Sequence, residues 1–203
     1  MLWETSLAAL AAYLLGSIPF GYLLYRLRQG EDIRDTGSGN IGATNVLRAA
    51  GLLPGAATLL LDAAKGYVAV WLAAKMTASP QVMGLAAFLA IAGHCFPIFL
   101  KFRGGKGVAP GMGAFLAISP SAVLICAVFF VIDLAMSGYV SVASIAAAAV
   151  FPLVLLWSGG YSSSILTAAV AGAGLIILRH RANMQRLRAG TERRISWRRS
   201  RPE

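Results

Sequence analysis

Charged residues are scarce in this chain. Only 13% of its 203 residues are charged, whereas soluble domains average about 25%. The apolar excess lies in long blocks, and several blocks reach the roughly 17–25 residues that a helix needs to cross a bilayer. The composition therefore excludes an ordinary soluble domain and predicts an all-α, polytopic integral membrane protein with a single domain over 1–203.

Cysteines are also few. The two cysteines, Cys95 and Cys126, lie far apart in apolar blocks without ligand-like spacing. We therefore expect inert thiols, with neither a disulfide framework nor a metal site.

The first apolar block has no basic residues before it, and Arg26 and Arg28 follow it. We expect a retained first span and not a signal peptide.

The hydropathy pattern predicts seven helices. Five spans are expected near 3–26, 54–74, 81–100, 139–157 and 162–178. Between the third and fourth lies the apolar region 107–137, which contains Ser119-Pro120. A proline breaks or kinks a helix because it lacks a donor and clashes with the preceding turn. We therefore expect a short half-length helix near 107–118 and a second helix near 120–136.

The basic residues predict the orientation. The net charge is +10, and nine of the 18 Lys and Arg residues lie between Arg179 and Arg201. The positive-inside rule places three basic segments, 28–50, 101–107 and 179–192, in the cytoplasm with the tail 193–203, and the N-terminus outside. An odd number of crossings agrees with this orientation. Binding of the tail to nucleic acid is the less favoured alternative to binding of anionic lipid.

A glycine-rich segment, GSGNIGATNVLR at 37–48, follows the first apolar block. Glycines let the backbone approach a ligand closely, and successive free N–H groups can form an anion-binding concavity. The polar side chains that add donors are Ser38, Asn40, Thr44 and Asn45. Arg48 adds a planar cation suited to phosphate. The segment is typical of a phosphate cradle, with a simple glycine-rich turn as the alternative.

Two further polar segments have the same character. In KFRGGKG at 101–107, Gly-Gly-Lys-Gly leads into the start of the short helix, where free N–H groups and the charge of Lys106 suit an anion. In the segment 179–192, His180 and Asn183 are three residues apart and share a helix face. The alternatives are an ordinary basic loop for the first segment and a lipid-headgroup anchor for the second.

Several ionisable residues lie inside the predicted spans: Asp62, Lys65, His94 and Asp133. Burial of such groups is expensive, so each is a functional hypothesis. Asp62 and Lys65 are three apart and can pair with each other. His94 is more typical of a hydrogen-bonded structural histidine than of a base, and the role of Asp133 stays open.

Three motifs together resemble the bacterial acyl-phosphate:glycerol-3-phosphate acyltransferases, often called the PlsY family. They are GSGNIGATNVLR at 37–48, FRGGKGVA at 102–109 and HRANMQRLRAGTE at 180–192. The resemblance extends over essentially the whole chain, although Pro110 stands where the family commonly has threonine. It implies transfer of an acyl group from acyl phosphate to the sn-1 hydroxyl of glycerol 3-phosphate. The products are lysophosphatidic acid and phosphate, in phospholipid synthesis.

The resemblance also implies the site and its setting. We expect glycerol 3-phosphate to contact Ser38, Arg48, Lys106, His180 and Asn183. We expect acyl phosphate to contact Gly39, Asn40, Gly42, Thr44, Asn45 and Ser141. The expected catalytic set is Ser38, Lys106, His180 and Asn183. No cofactor and no metal are expected. The partners would be membrane lipids and no nucleic acid, in the bacterial inner membrane with a cytoplasmic active site.

Other functions were weighed against this one. Neither His94 nor His180 has an aspartate five residues later, which excludes the H-x-x-x-x-D arrangement of another glycerolipid acyltransferase class. A small anion or phosphate transporter would share the intramembrane charges, but it often shows related halves with paired broken helices. A CDP-alcohol phosphotransferase needs clustered aspartates for metals, and here they are scattered at 32, 35, 62 and 133.

Overall fold

The computed structural model describes residues 2–195, and these form helices and loops without strands. Ten α-helices follow in chain order: α1 (Leu2–Ser17), α2 (Phe20–Gln29), α3 (Ala43–Ala50), α4 (Leu52–Thr77), α5 (Pro80–Cys95), α6 (Val108–Leu116), α7 (Pro120–Ser137), α8 (Val140–Ser158), α9 (Ser163–Arg179) and α10 (Arg181–Arg188). The predicted basic tail, 193–203, lies outside the described residues from position 196 onwards.

The multi-spanning helical architecture is confirmed. Within residues 2–195, five segments are long and apolar enough to cross a membrane, or six if the bent pair α9–α10 is counted as one span. The count of seven and the orientation of the termini stay predictions. Helices α3 and α10 are two short helices that the hydropathy pattern did not predict. The predicted first span, 3–26, agrees with one candidate span over Leu2–Gln29. That span is broken between Ser17 and Phe20, where a proline removes a backbone donor.

The split in the region 107–137 lies where the proline predicts it. Helix α6 ends at Leu116 and α7 begins at Pro120, which is favourable at the first helical position because its missing N–H would be unpaired there anyway. The Ser119 hydroxyl accepts a hydrogen bond from Ala122 N at 3.4 Å and another from the Tyr161 hydroxyl at 2.6 Å. Helix α6 has nine residues and therefore spans only about 14 Å, half the hydrocarbon core.

Close packing against α4 holds this short helix in the bundle interior. A Cβ added at Gly113 of α6 would lie 1.8 Å from the Ala63 carbonyl oxygen of α4. A Cβ added at Gly66 of α4 would lie 2.0 Å from the Pro110 carbonyl oxygen of α6. Small residues at such interfaces allow two backbones to touch. Glycine at both positions therefore determines how deeply α6 sits, and with it the loop that precedes α6.

Substitution of Gly113 by alanine tests this packing. The added methyl collides with backbone, which cannot move as a side-chain tip can, so we expect a loss of about 1–3 kcal/mol in stability. Thermal unfolding of the detergent-purified protein measures it. Gly174→Ala is the matched control, because a Cβ there meets nothing within 4 Å. Equal melting temperatures for the two variants would contradict the packing argument.

Candidate active site

One large cavity gathers the polar motifs. Its volume is about 860 Å³, within the range of small-molecule sites. Ten of the eleven predicted site residues line it: Ser38, Asn40, Gly42, Thr44, Asn45, Arg48, Lys106, Ser141, His180 and Asn183. The eleventh, Gly39, lines a second and smaller cavity of about 470 Å³, together with Arg34, Arg103 and Arg179.

The cavity has a polar end and an apolar end. The motif residues surround the polar end, and the walls beyond it come from α4, α6, α7, α8 and α9. Side chains on these walls include Leu59, Phe115, Cys126, Phe130 and Phe151. Phe115 and Phe151 pack with their ring centroids 4.7 Å apart. The arrangement suits a ligand with an anionic head and an apolar tail.

Asn45 organises the first motif. Its amide nitrogen donates to the carbonyl oxygens of Ile33, Thr36 and Asn40 at 3.3, 2.9 and 2.9 Å. Its side-chain oxygen accepts from Ser38 N at 3.0 Å. A single buried side chain thus holds the loop in a curled form, and the turns within it place Gly37 and Gly39 at positive φ. The loop then leads into the N-terminus of α3, at the polar end of the cavity.

Lys106 brings a partly buried cation to the cavity. Burial lowers the pKa of its ammonium to about 8, and Arg186, Arg48 and Arg179 act in the same direction, while Glu192 opposes them. Arg48 also lines the cavity, and its guanidinium donates to the Arg193 carbonyl oxygen at 3.2 Å. Several cations at the end of one cavity repel each other, and an anionic ligand relieves that repulsion.

His180 is neutral at physiological pH. Its Nδ1 lies 2.8 Å from the Ile176 carbonyl oxygen, so Nδ1 carries the proton and Nε2 is left as an acceptor. Burial, and then the nearby Lys106, lower the pKa of the imidazole to about 4. The ring therefore offers a lone pair and not a charge.

Glu192 connects the third motif to α8, and the sequence analysis gave it no role. Its Oε1 accepts from Ser141 Oγ at 2.9 Å and from Asn183 Nδ2 at 2.6 Å, and its Oε2 accepts from Arg186 Nε at 2.7 Å. Burial raises the pKa of the carboxyl, but these hydrogen bonds outweigh it, and the pKa lies below its ordinary value. The Gly-Thr-Glu ending of the motif was the available signal.

Asn183 keeps one polar atom unused. Its amide nitrogen bonds Glu192, which orients the side chain. Its oxygen Oδ1 is buried and has no hydrogen-bond partner among the described residues. A buried acceptor without a partner is rare and costs free energy, so it indicates a donor supplied by a ligand. A hydroxyl group is the kind of donor that fits.

Fold and cavity together define a class: an integral membrane protein whose helical bundle holds an anion-binding site at the head of an apolar chamber, as an enzyme acting on lipid precursors requires. Within that class, the chain belongs to the glycerol-3-phosphate acyltransferase family, whose model matches residues 6–190. The predicted family and the predicted enzyme class, a glycerol-3-phosphate acyltransferase, are thereby confirmed.

Curated relatives and solved structures agree with this assignment. The chain is 46% identical to a glycerol-3-phosphate acyltransferase of Syntrophotalea carbinolica, over 92% of this chain and 95% of that one. It is 48% identical to that of Geotalea daltonii, over 90% and 93%. Crystal structures of PlsY, an integral membrane glycerol 3-phosphate acyltransferase, superpose with TM-scores of 0.90 for its glycerol 3-phosphate form and 0.86 for its lysophosphatidic acid form. Their identities are 39% and 37%, and each covers 95% of this chain and 96% or 95% of the other.

Substitution of Glu192 by glutamine tests its organising role. The amide cannot accept all the bonds that the carboxylate accepts, and the ion pair with Arg186 is lost. Loss of one such bond costs about 1.5–3 kcal/mol. We expect a lower melting temperature and a lower kcat/KM for glycerol 3-phosphate. Glu31→Gln, at an exposed position, is the control, and a Glu192 variant that behaves like it would contradict the assignment.

Proposed function

We propose that this enzyme transfers an acyl group from acyl phosphate to the sn-1 hydroxyl of glycerol 3-phosphate, releasing lysophosphatidic acid and phosphate. The observation that carries the proposal is the single cavity in which three cationic and glycine-rich motifs meet an apolar chamber. Both substrates carry phosphate, and the donor and the product also carry a long acyl chain. The relatives' glycerol 3-phosphate and lysophosphatidic acid forms support the acceptor and the product.

Glycerol 3-phosphate is assigned to the side of the cavity formed by the second and third motifs. Arg48 and Lys106 bind its phosphate, Arg48 through a planar fork and Lys106 through a point charge. Asn183 Oδ1, which is buried without a partner among the described residues, accepts from a glycerol hydroxyl. His180 offers its neutral Nε2 as a second acceptor.

Acyl phosphate is assigned to the first motif. Its phosphate lies against Asn40, Gly42, Thr44 and the N-terminus of α3, where the helix dipole favours negative charge. Gly39 and Asn45 act on this substrate through the shape of the loop. Ser38 lies where the two substrates meet. The acyl tail of the acyl phosphate lies in the apolar chamber between the helices.

Ser141 is hydrogen-bonded to the third motif and not to the first motif, with which the prediction grouped it. We assign it to the acyl phosphate through its position on the cavity wall, while its hydroxyl is held by Glu192 at 2.9 Å. The bond leaves the oxygen lone pairs of Ser141 free to accept. Ser141 therefore joins the donor's subsite to the Glu192 cluster of the acceptor's subsite.

In the reaction, the sn-1 hydroxyl attacks the acyl carbonyl carbon, and the carbon–oxygen bond to phosphate breaks. The hydroxyl proton passes to an oxygen of a substrate phosphate. Phosphate oxygens with a pKa near 6 are better bases at neutral pH than an imidazole with a pKa of about 4. Acyl phosphate is a mixed anhydride with a good leaving group. Positioning and charge neutralisation by Lys106 and Arg48 supply most of the rate.

The proposed setting is the bacterial inner membrane with the site open to the cytoplasm. The three basic segments, 28–50, 101–107 and 179–192, hold ten of the 18 Lys and Arg residues, and basic segments flank the cytoplasmic side of spans. Membrane lipids are then the surrounding partners.

An assay on the detergent-purified protein tests the reaction and the base together. Phosphate release is expected only when acyl phosphate and glycerol 3-phosphate are both present. For His180→Ala at saturating glycerol 3-phosphate, we expect kcat to fall by less than about tenfold, because loss of a true general base costs about 10²–10⁴. Phosphate release without the acceptor would sink the proposed reaction, and a loss of the larger size would make His180 the base.

The pH dependence tests the role of Lys106. The pKa of its ammonium is about 8 in the free protein, so the charge is present at neutral pH and is lost as the pH rises through that value. We expect kcat/KM for glycerol 3-phosphate, which reports the free enzyme, to fall above about pH 8. In Lys106→Arg this decline should move to a higher pH, because a guanidinium keeps its proton. An unmoved decline would assign it to another group.

A further inference from the structure

A buried ion pair in the bundle is connected to the loop that carries Lys106. Lys65 and Asp62, one helical turn apart on α4, each have side chains only 2% exposed, and Lys65 Nζ lies 2.7 Å from Asp62 Oδ1. The same nitrogen lies 2.7 Å from the Ile18 carbonyl oxygen and 3.0 Å from His94 Nδ1. The ammonium is therefore held by one ion pair and by two hydrogen-bond contacts.

These contacts determine the state and the orientation of His94. Since Nδ1 accepts from Lys65, the ring proton of the neutral imidazole is on Nε2. The ring is thereby held against Gly105. A Cβ added at Gly105 would lie 2.0 Å from His94 Nε2, and its three nearest atoms all belong to this ring. The main chain of His94 also pairs with the loop, because Gly105 N donates to the His94 carbonyl oxygen at 3.0 Å.

Arg179 holds the same segment from the other side. Its Nε donates to the Gly105 carbonyl oxygen at 3.0 Å, and its Nη2 donates to the Gly104 carbonyl oxygen at 3.1 Å. Its guanidinium also stacks over the Phe96 ring at 5.1 Å. The guanidinium of Arg179 therefore binds the carbonyl groups of both residues that precede Lys106. Arg179 is itself the residue before His180.

We infer that Asp62, Lys65, His94 and Arg179 are positioning residues that hold the Gly104–Gly105 segment and so place the Lys106 ammonium for substrate. The inference rests on the proposed binding of glycerol 3-phosphate by Lys106. The His94 ring, oriented by the ion pair, packs against Gly105. Arg179 binds the carbonyl oxygens of Gly104 and Gly105. The proposed effect of Asp62 and His94 on the reaction passes through this loop. Both residues also line the cavity.

A double-substitution cycle between His94 and Gly105 tests the support. His94→Asn keeps an acceptor for Lys65 but removes the ring edge beneath Gly105. We expect its melting temperature to stay close to the wild-type value and its KM for glycerol 3-phosphate to rise about tenfold, the size of one lost buried interaction.

Gly105→Ala alone should be more harmful, because its methyl collides with the ring. Combined with His94→Asn, the same alanine no longer meets the ring atoms that are its three nearest contacts, so the double variant should be more active than the product of the two single effects predicts. Effects that simply multiply would overturn the inference, since independent structural damage multiplies.

Arg179 provides a second test. Arg179→Gln removes the fork, and Arg179→Lys keeps the charge but cannot bind both carbonyl oxygens at once. We expect both variants to raise KM for glycerol 3-phosphate about tenfold while kcat changes little. Lys75→Gln, which removes an exposed cation outside the three motifs, is the control and should leave KM unchanged. A normal KM in Arg179→Lys would show that the charge alone is needed, which would overturn the positioning role.

Lys106→Met separates this inference from the proposed function. If that variant leaves KM for glycerol 3-phosphate unchanged, the proposed role of Lys106 fails, and the positioning inference fails with it. If Lys106→Met raises KM but His94→Asn and Arg179→Gln do not, only the positioning inference fails. A rise in KM for acyl phosphate alone in these two variants would also overturn it, because the supporting residues would then serve the donor.

Discussion

Backbone polar groups inside an apolar bundle must be paired, and this constraint shapes the site. Three breaks between helices leave carbonyl groups without helical partners. One side chain satisfies them at each place: Lys65 at the break after α1, Arg179 at the loop before α6, and Asn45 in the loop before α3. The side chains that make the breaks tolerable are thus the ones that give the loops a fixed shape.

Fixed loops allow a cluster of like charges to remain near one cavity. Lys106 and Arg48 lie together with Arg186, and their mutual repulsion is offset within the protein mainly by Glu192. Such a site is incomplete without an anion, since the substrate phosphates supply the missing negative charge. His180 stays neutral in this field, so its ring offers a hydrogen-bond acceptor and adds no further charge to the cluster. This division matches a reaction in which the donor is already activated.

Much of the site could be predicted because its signals are local. Glycines, hydroxyls and basic residues that interrupt apolar blocks stand out in the sequence, and ten of the eleven predicted residues line one cavity. The role of Glu192 was missed because the Gly-Thr-Glu ending shows a carboxylate but not the residues that it binds. Its meaning depends on Ser141, 51 residues away. The partnership of Asp62 with Lys65 was a helix-spacing inference, whereas the contact of that pair with His94 and Ile18 joins three separate segments.

By itself, the sequence determined that the chain is a bundle of apolar helices, where the region 107–137 breaks, and which three polar segments supply residues to the cavity. Hydrophobic blocks, proline and glycine act over a few residues, so those features need no knowledge of the fold. Only the tertiary structure decided which motif faces which, how deeply α6 sits, and that Arg179 and His94 hold the loop before Lys106. These depend on backbone contacts such as that of Gly113 with Ala63, which arise when distant segments pack and leave no periodic trace in the sequence.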